Sequence, residues 1–398
     1  MNGDILTLNA GSSSLKFAVF EAGRRDRTAR ISGNFAGIGG IPRFSVHDAE
    51  GRALDGGDLS NLTNKATHDD VISLLLDWLA RHQGDQPLLA VGHRVVHGGQ
   101  TFSEPVHITD SVIKDLEALV PLAPLHQPHN LSAIRTVAAW RPDLRQIACF
   151  DTGFHRTQDR LATLFALPRA LTDEGVIRYG FHGLSYDYIA SILPDHLGPR
   201  ADGRVVVAHL GNGASLCAMK NRKSLATSMG FTALDGLVMG QRSGSLDPGV
   251  LLYLMQSKGM GAIEIENLLY RQSGLFGVSG ISNNMRVLDE SDAPEAAEAI
   301  ALFAYRAASI LAGLLPALGG LDSLVFTAGI GENSARARQE ICDYLGWIGV
   351  EVDRAANERN AVRISTDASA VDVLVLPTNE EAVIAAACRD LLERGPAH

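Results

Sequence analysis

Two stretches far apart in this chain follow one plan, and that repetition constrains the fold more than any other feature. The first, Ile5-Leu6-Thr7-Leu8-Asn9-Ala10-Gly11-Ser12-Ser13-Ser14-Leu15-Lys16-Phe17-Ala18-Val19-Phe20, sets Asn, Gly, three Ser and a Lys between two apolar runs. The second, Val205-Val206-Val207-Ala208-His209-Leu210-Gly211-Asn212-Gly213-Ala214-Ser215-Leu216-Cys217-Ala218-Met219, again reads strand, Gly/Asn/Ser tip, strand. One such turn is common, because Asn, Gly and Ser favour β-turns anyway. Two, each heading a half-chain, indicate duplication of one structural unit. A P-loop would need Gly-x-x-x-x-Gly-Lys-Ser/Thr running into a helix, whereas Phe17-Ala18-Val19-Phe20 reads as a strand, so the first loop is a hairpin tip. Hydroxyls, backbone N–H groups and a mobile cation at such a tip suit a polyphosphate. A third Gly-rich turn, Gly329-Ile330-Gly331-Glu332-Asn333, lies between the strand-like Ser323–Ala328 and a helix from Ser334. Strand, Gly turn and helix aim N–H groups at an anion or a ribose.

A chain of 398 residues exceeds what one core usually supports, so two domains are expected, with a boundary just after Phe150. The formal charge, 35 − 45 = −10, provides no basic field for nucleic acid or anionic lipid. Anionic substrates would therefore need locally concentrated cations. Cys149, Cys217, Cys342 and Cys388 are widely spaced with no Cys-x-x-Cys, which fits buried thiols in a reducing cytoplasm better than a zinc or disulfide framework. The N-terminus enters a strand after Met1-Asn2-Gly3-Asp4, so no signal peptide is expected. The apolar run Ala299–Leu318, broken by Arg306 and Pro316, reads as a buried helix rather than a membrane span.

Helices are expected from Thr67, at Asp110–Leu119, Asn130–Trp140, Ser185–Leu193, Asp247–Lys258, Ile263–Gln272, Ala293–Leu318 and Glu380–Arg394. Strands are expected at Leu88–Val96, Gln146–Phe150 and Val371–Leu376, with a Pro-rich loop from Pro121 to Pro128. The alternation predicts an α/β fold, with mixed sheets because of the hairpins.

Several charged residues admit two readings. Arg94 ends an apolar strand before Gly98-Gly99 and would either grip a carboxylate or phosphate or form a strand-edge salt bridge. His93 and His97 flank it on the same strand, a poor arrangement for a metal. Asp151 follows a buried strand, where chemistry and helix capping are equally common. His182 in Tyr179-Gly180-Phe181-His182-Gly183 and Arg242 in Gly240-Gln241-Arg242-Ser243-Gly244 face a ligand or simply a turn. Glu380 and Glu381 open the last helix and suit its dipole or a Mg²⁺ ion.

From Asn9-Ala10-Gly11-Ser12-Ser13-Ser14-Leu15-Lys16 to Pro377-Thr378-Asn379-Glu380-Glu381 the chain resembles the acetate kinase family. Between these ends lie Gly92–Gly99, Ala123-Pro124-Leu125-His126, Phe150-Asp151-Thr152, Tyr179–Gly183, His209–Ser215, Thr227–Thr232, Arg242-Ser243-Gly244, Gly277–Ser282 and Thr327–Ser334, all in order. The resemblance implies two ribonuclease-H-like domains with mixed sheets, a duplicated actin-like ATPase fold facing a central cleft. The expected domains are 1–150, with a returning helix at about 380–398, and a nucleotide-binding domain at 151–379. It also implies a homodimer and reversible Mg²⁺-dependent (or Mn²⁺-dependent) transfer of the ATP γ-phosphoryl to acetate, giving acetyl phosphate and ADP. Position by position, Asn9 and Glu380 would serve the metal, and Lys16, Ser12 and Ser14 the nucleotide phosphates. Arg94, Asp151, His182 and Arg242 would be catalytic, and His209-Leu210-Gly211-Asn212-Gly213 a phosphate turn. Asn284-Met285-Arg286 and Gly329-Ile330-Gly331-Glu332-Asn333 would surround the adenosine; Val96, Leu125, Phe181 and Ala233, with Arg94, would receive the acyl group.

Four departures stand out. Ala233 replaces the family's usual Pro, Asn284-Met285 its Asp-Phe, Leu184-Ser185-Tyr186 its frequent Thr-Ser-His, and Gly153 its frequent Ala. The first widens the expected acyl pocket toward propionate, the alternative substrate; the second bears on base selectivity. A chaperone-like relative would need an added peptide-binding domain, and a sugar kinase a more polar pocket.

Overall fold

The computed structural model describes residues 1–11, 14–56, 66–82, 84, 86–124 and 126–395. Among them are twelve strands: β1 (Asp4–Ala10), β2 (Ser14–Glu21), β3 (Ile31–Ala36), β4 (Arg43–Asp48), β5 (Leu88–Val95), β6 (Val106–His107), β7 (Arg145–Phe150), β8 (Val205–Leu210), β9 (Ala214–Lys220), β10 (Lys223–Thr227), β11 (Ser323–Thr327) and β12 (Asp372–Val375). They form one sheet of order β4-β3-β2-β1-β5-β7-β6 and another of order β10-β9-β8-β11-β12. In the first, β1 pairs antiparallel with β2 and parallel with β5, which pairs parallel with β7. In the second, β8 pairs antiparallel with β9 and parallel with β11, which pairs parallel with β12. The five strands β3-β2-β1-β5-β7 thus match β10-β9-β8-β11-β12 in order and direction. The duplication inferred from the two hairpins is present in the backbone.

The chain divides into two compact units, residues Met1–Gly153 with Asn379–His398, and residues Phe154–Thr378. In the first, one face of the sheet (Leu6, Leu8, Phe17, Val91) packs on helix His68–His82 through Val71, Ile72, Leu75 and Trp78 and on helix Gln127–Trp140 through Ala133 and Val137. The last helix, Glu380–Arg394, lies against β1 and β5. A Cβ at Gly92 would come within 2.3 Å of Ile384 and 2.6 Å of Cys388, so glycine lets the helix sit directly on β5. Gly92 and Arg94 share this face by strand alternation.

In the second unit, helix Gly183–Leu197 covers the β8–β9 hairpin through Tyr186, Ile189 and Leu193 packed on Val205, Val207 and Cys217. Helix Pro294–Leu318 contacts β9 and β10. By length and composition it is the one helix among the described residues apolar enough to cross a membrane. Its buried stripe, Ala299, Ile300, Phe303, Ala304, Ala307 and Leu311, has the spacing of a helix packed along one face.

Most expected elements are present with shifted ends, and the last helix matches throughout. Three differ for identifiable reasons. Residues Ala328–Asn333 form a short helix rather than an open turn; the Glu332 carboxylate reaches back to the Ala328 N–H at 2.8 Å and satisfies its first donor. The Pro-rich loop gives way to a helix at Gln127, because Pro128 sits in the first turn, where a missing N–H costs nothing. Helix Gly183–Leu197 runs through Pro194 instead of stopping before it. All four cysteines are buried and free.

Candidate active site

Parallel strands in an α/β sheet present their carboxyl ends to ligands. In the first unit those ends carry Asn9 on β1, Arg94 on β5 and Asp151 directly after β7. Arg94 Nε donates to both Asp151 oxygens at 3.0 Å and its Nη2 to Oδ2 at 2.5 Å. Its Nη1 donates to Asn9 Oδ1 at 3.0 Å. The Asn9 amide in turn donates to Glu380 at 2.8 Å and to Glu381 at 3.2 Å. The Arg94 side chain is 16% exposed and that of Asp151 1%. Burial opposes the Arg94 charge, but the carboxylates of Asp151 and Glu380 outweigh it and hold the guanidinium pKa above its ordinary value. Of the two readings of Arg94 the structure shows the salt bridge, and that pair with Asp151 is the centre of the cluster.

Lys16 is exposed on β2, opposite Asn9 in register, and Ser14 opens the same strand. The Gly11 N–H closes the tip on the Ser14 carbonyl at 2.8 Å. Ser12 and Leu125 lie outside the described residues. Val96 is buried, and its N–H donates to Asn130 Oδ1 at 3.0 Å. Sequence reasoning missed His68, whose Nε2 lies 2.7 Å from the Gly11 carbonyl. No spacing links residues so far apart. His93 and His97 are not arranged as metal ligands: His93 Nε2 bonds Gln146 at 2.7 Å, and burial lowers both imidazole pKa values to about 4.

The second unit holds a different chemistry. His182 precedes helix Gly183–Leu197 in the left-handed region, φ 58°. Its Nδ1 lies 2.9 Å from Ser215 Oγ on β9, while His209 Nδ1 on β8 lies 2.8 Å from Ser185 Oγ. The two imidazoles stack at 4.2 Å and 18°. Leu210, buried, leads into the Gly211–Gly213 tip, where the Gly211 N–H donates to the Gly213 carbonyl at 3.0 Å. A Cβ at Gly213 would stand 3.2 Å from His182 Nε2 and 3.3 Å from Arg242 Nη2, so glycine keeps open the space where imidazole and guanidinium converge. Arg242 Nη1 donates to the Ala233 carbonyl at 2.7 Å, and the Gly240 N–H donates to the Asn212 carbonyl at 3.0 Å. The second bond fixes the Arg242 loop to the hairpin tip. Phe181 is buried and Ala233 half-buried.

Beside the tip lies a cavity of about 470 Å³, lined by Gly211, Asn212, Asn283, Asn284, Met285, Arg286, Asp289, Gly329, Ile330, Asn333 and Ser334. Gly331 and Glu332 do not line it. The Gly331 carbonyl accepts from buried Arg338 at 2.9 Å, and Glu332 accepts from the Ala328 and Thr378 N–H groups at 2.8 and 3.2 Å. The Asn284 side chain accepts from the Arg286 N–H at 3.0 Å and caps helix Met285–Asp289. Asn caps as well as Asp, so that departure keeps the local backbone.

No group of three His, Cys, Asp or Glu among the described residues could hold a metal. Asn9, Glu380, Glu381 and Asp151 nevertheless offer only hard oxygen ligands in one hydrogen-bonded set. Mg²⁺ takes one or two carboxylates and completes its shell with phosphate oxygens and water, so this set fits it.

The Acetokinase family profile matches residues 4–386. The chain belongs to that family. The acetate kinase of Rhodopseudomonas palustris strain TIE-1 is 53% identical over 390 residues, covering 97% of both chains. Among solved structures, the acetate kinase of Porphyromonas gingivalis superposes with a TM-score of 0.85 at 35% identity, covering 98% of this chain and 100% of that one. A propionate kinase from Francisella tularensis subsp. tularensis SCHU S4 superposes with a TM-score of 0.88 at 36% identity, covering 97% and 98%. The duplicated α/β fold is thus the fold of acetate and propionate kinases, and the chain is a phosphotransferase with a carboxyl group as acceptor.

Proposed function

We propose that this enzyme transfers the γ-phosphoryl of ATP reversibly and directly to acetate, giving acetyl phosphate and ADP. The observation that carries the reading is the Arg94 cluster: a half-buried guanidinium at the carboxyl ends of parallel strands, tied to Asp151 and Asn9. Acetate is ionised at neutral pH, as a Glu side chain with its reference pKa of about 4.3 would be, so no strong base is needed. A carboxylate oxygen attacks the γ-phosphorus, the bond to the β,γ-bridging oxygen breaks, and ADP leaves with that electron pair. The difficulty is electrostatic, since two anions must meet while charge spreads over the equatorial oxygens.

In this reading Arg94 receives the acyl carboxylate, and Asp151 orients Arg94, since both its oxygens already accept from that side chain. Val96, Leu125, Phe181 and Ala233 contact the methyl group. Arg242 and His182 stabilise the phosphoryl, and Lys16, Ser12, Ser14 and His209–Gly213 hold the phosphates. The cavity at Asn284–Arg286 and Gly329–Asn333 takes the adenosine. Asn9 and Glu380 would hold Mg²⁺ (or Mn²⁺), which when bound neutralises charge on the donor phosphates.

Three further readings have their own support. Ala233 is smaller than the family's Pro at a half-buried position, which favours turnover of propionate as well. Helix Pro248–Gln256 has no buried residue, and Val250, Leu252, Tyr253 and Met255 are exposed on it, which favours a homodimer with a second copy covering it. The free buried thiols favour a cytoplasmic enzyme. Trapping acyl phosphate with hydroxylamine, across acetate, propionate and butyrate with ATP or GTP, tests the reading. Hydroxamate from acetate and ATP supports it; no hydroxamate from any short carboxylate with any donor overturns it.

A further inference from the structure

One departure from the family pattern sits directly behind a residue assigned above to the phosphoryl. Tyr186 is fully buried in helix Gly183–Leu197, and its hydroxyl lies 2.5 Å from Ser215 Oγ. Ser215 Oγ lies 2.9 Å from His182 Nδ1. Tyr186, Ser215 and His182 therefore form a file of three groups whose far end, His182 Nε2, faces the Gly213 position together with Arg242.

The protons in this file have one arrangement that satisfies every group. A serine hydroxyl carries one proton and can accept as well, whereas a neutral imidazole has one N–H and one acceptor nitrogen. Burial raises the Tyr186 pKa well above its ordinary value, so the phenol keeps its proton and has to donate it. Among the described residues its hydrogen-bond partner is Ser215 Oγ, which is therefore the acceptor. Ser215 then gives its own proton to His182 Nδ1, and the imidazole carries its hydrogen on Nε2. In the reverse arrangement, with Nδ1–H donating to Ser215 and Ser215 donating to Tyr186, a fully buried phenol proton has no acceptor, which is costly.

We propose that Tyr186 is a positioning residue: acting through Ser215, it locks His182 in the Nε2–H tautomer, so that a neutral imidazole presents a donor toward the phosphate turn. Histidine, frequent at this position in the family, can donate or accept and could not enforce one direction on its own. The proposal rests on the assignment of His182 to the phosphoryl, but the tautomer can be read without any turnover.

The test is ¹⁵N NMR of the full-length protein with labelled histidine, the His182 signals being assigned by their loss in His182→Asn. Above the imidazole pKa the wild type shows the Nε2–H pattern. In Tyr186→Phe, Ser215 can satisfy either its proton or its lone pair but not both, so the signals move toward a mixture. Ser215→Ala produces a mixture as well, Ser215→Thr retains the wild-type pattern, and the Tyr186→Phe/Ser215→Ala double variant shifts no further than Ser215→Ala. In Tyr186→Phe, kcat falls by about ten-fold with KM nearly unchanged, short of the roughly 10²–10³ lost when an oxyanion donor is removed outright. An unshifted His182 tautomer in Tyr186→Phe overturns the proposal. If the tautomer shifts as stated but the wild type makes no acyl phosphate, the positioning claim stands and the phosphoryl-transfer reading falls.

Discussion

The two units share a five-strand topology, yet the same strand ends carry opposite chemistry. In the first unit the ends of β1, β5 and β7 hold a guanidinium clamped among carboxylates, with Asp151 nearly inaccessible. In the second, the β8–β9 tip holds imidazoles and glycines, and Arg242 donates to the neutral Ala233 carbonyl. A duplicated scaffold fixes where residues stand but not what they are. One copy carries a guanidinium clamped by a carboxylate, the other imidazoles, glycines and a guanidinium around a hairpin tip.

The largest expected effect breaks that contrast at its centre. Arg94→Ala strands the buried carboxylate of Asp151, and removing one partner of such a pair costs about 3–5 kcal/mol. With the lost transition-state charge, kcat/KM in the hydroxamate assay should fall by about 10³-fold or more. Arg242→Ala removes a guanidinium held by a carbonyl and should cost about 10²-fold. Lysine should not rescue Arg94, whose fork engages Asp151 and Asn9 at once; equal losses and equal rescue at both positions would deny that the units differ.

Glycine substitutions sharpen the comparison. Gly92→Ala drives a methyl into Ile384 and Cys388, so it should cost about 1–3 kcal/mol of stability by urea unfolding. Gly213→Ala crowds the far ends of the His182 and Arg242 side chains, so it should depress kcat while leaving the unfolding midpoint nearly unchanged.

Acid should separate the units too. Burial lowers His93 and His97 in the first unit and His155 in the second to a pKa of about 4. A histidine whose pKa is depressed on folding stabilises fully above its unfolded pKa, about 6.5, and loses that contribution as pH falls toward 4. Each contributes up to about 1.4 kcal/mol per pH unit in that window. Urea midpoints should therefore drop between pH 6.5 and 4, and more for the first unit. A Trp347→Phe variant retains Trp78 and Trp140, so its fluorescence follows that unit. The smallest effect is on specificity: Ala233→Pro should raise the acetate-to-propionate ratio of kcat/KM by roughly ten-fold, as one methylene is worth about 1–3 kcal/mol.

What the sequence disclosed follows the same division. The paired hairpins, the strand carrying Arg94 and the helix opening at Glu380 were legible because periodicity and turn composition are local. The partner of Asp151 was not, since it comes from a strand 57 positions away. Nor were Tyr186–Ser215, His68 on the Gly11 carbonyl, or Arg338 behind Gly331. Each joins residues that meet only once the sheets are assembled. Glu332 shows the converse: a residue inside a legible Gly-rich motif turns away from the cavity to cap its own helix.

In the proposed reaction the first-unit cluster acts as an electrostatic receptor and not a proton relay, and the pH–rate profile of Asp151→Asn tests this most directly. The prediction is reduced activity with both limbs of the profile retained and a higher Mg²⁺ requirement. Loss of one limb would mean that Asp151 moves a proton, and would contradict it.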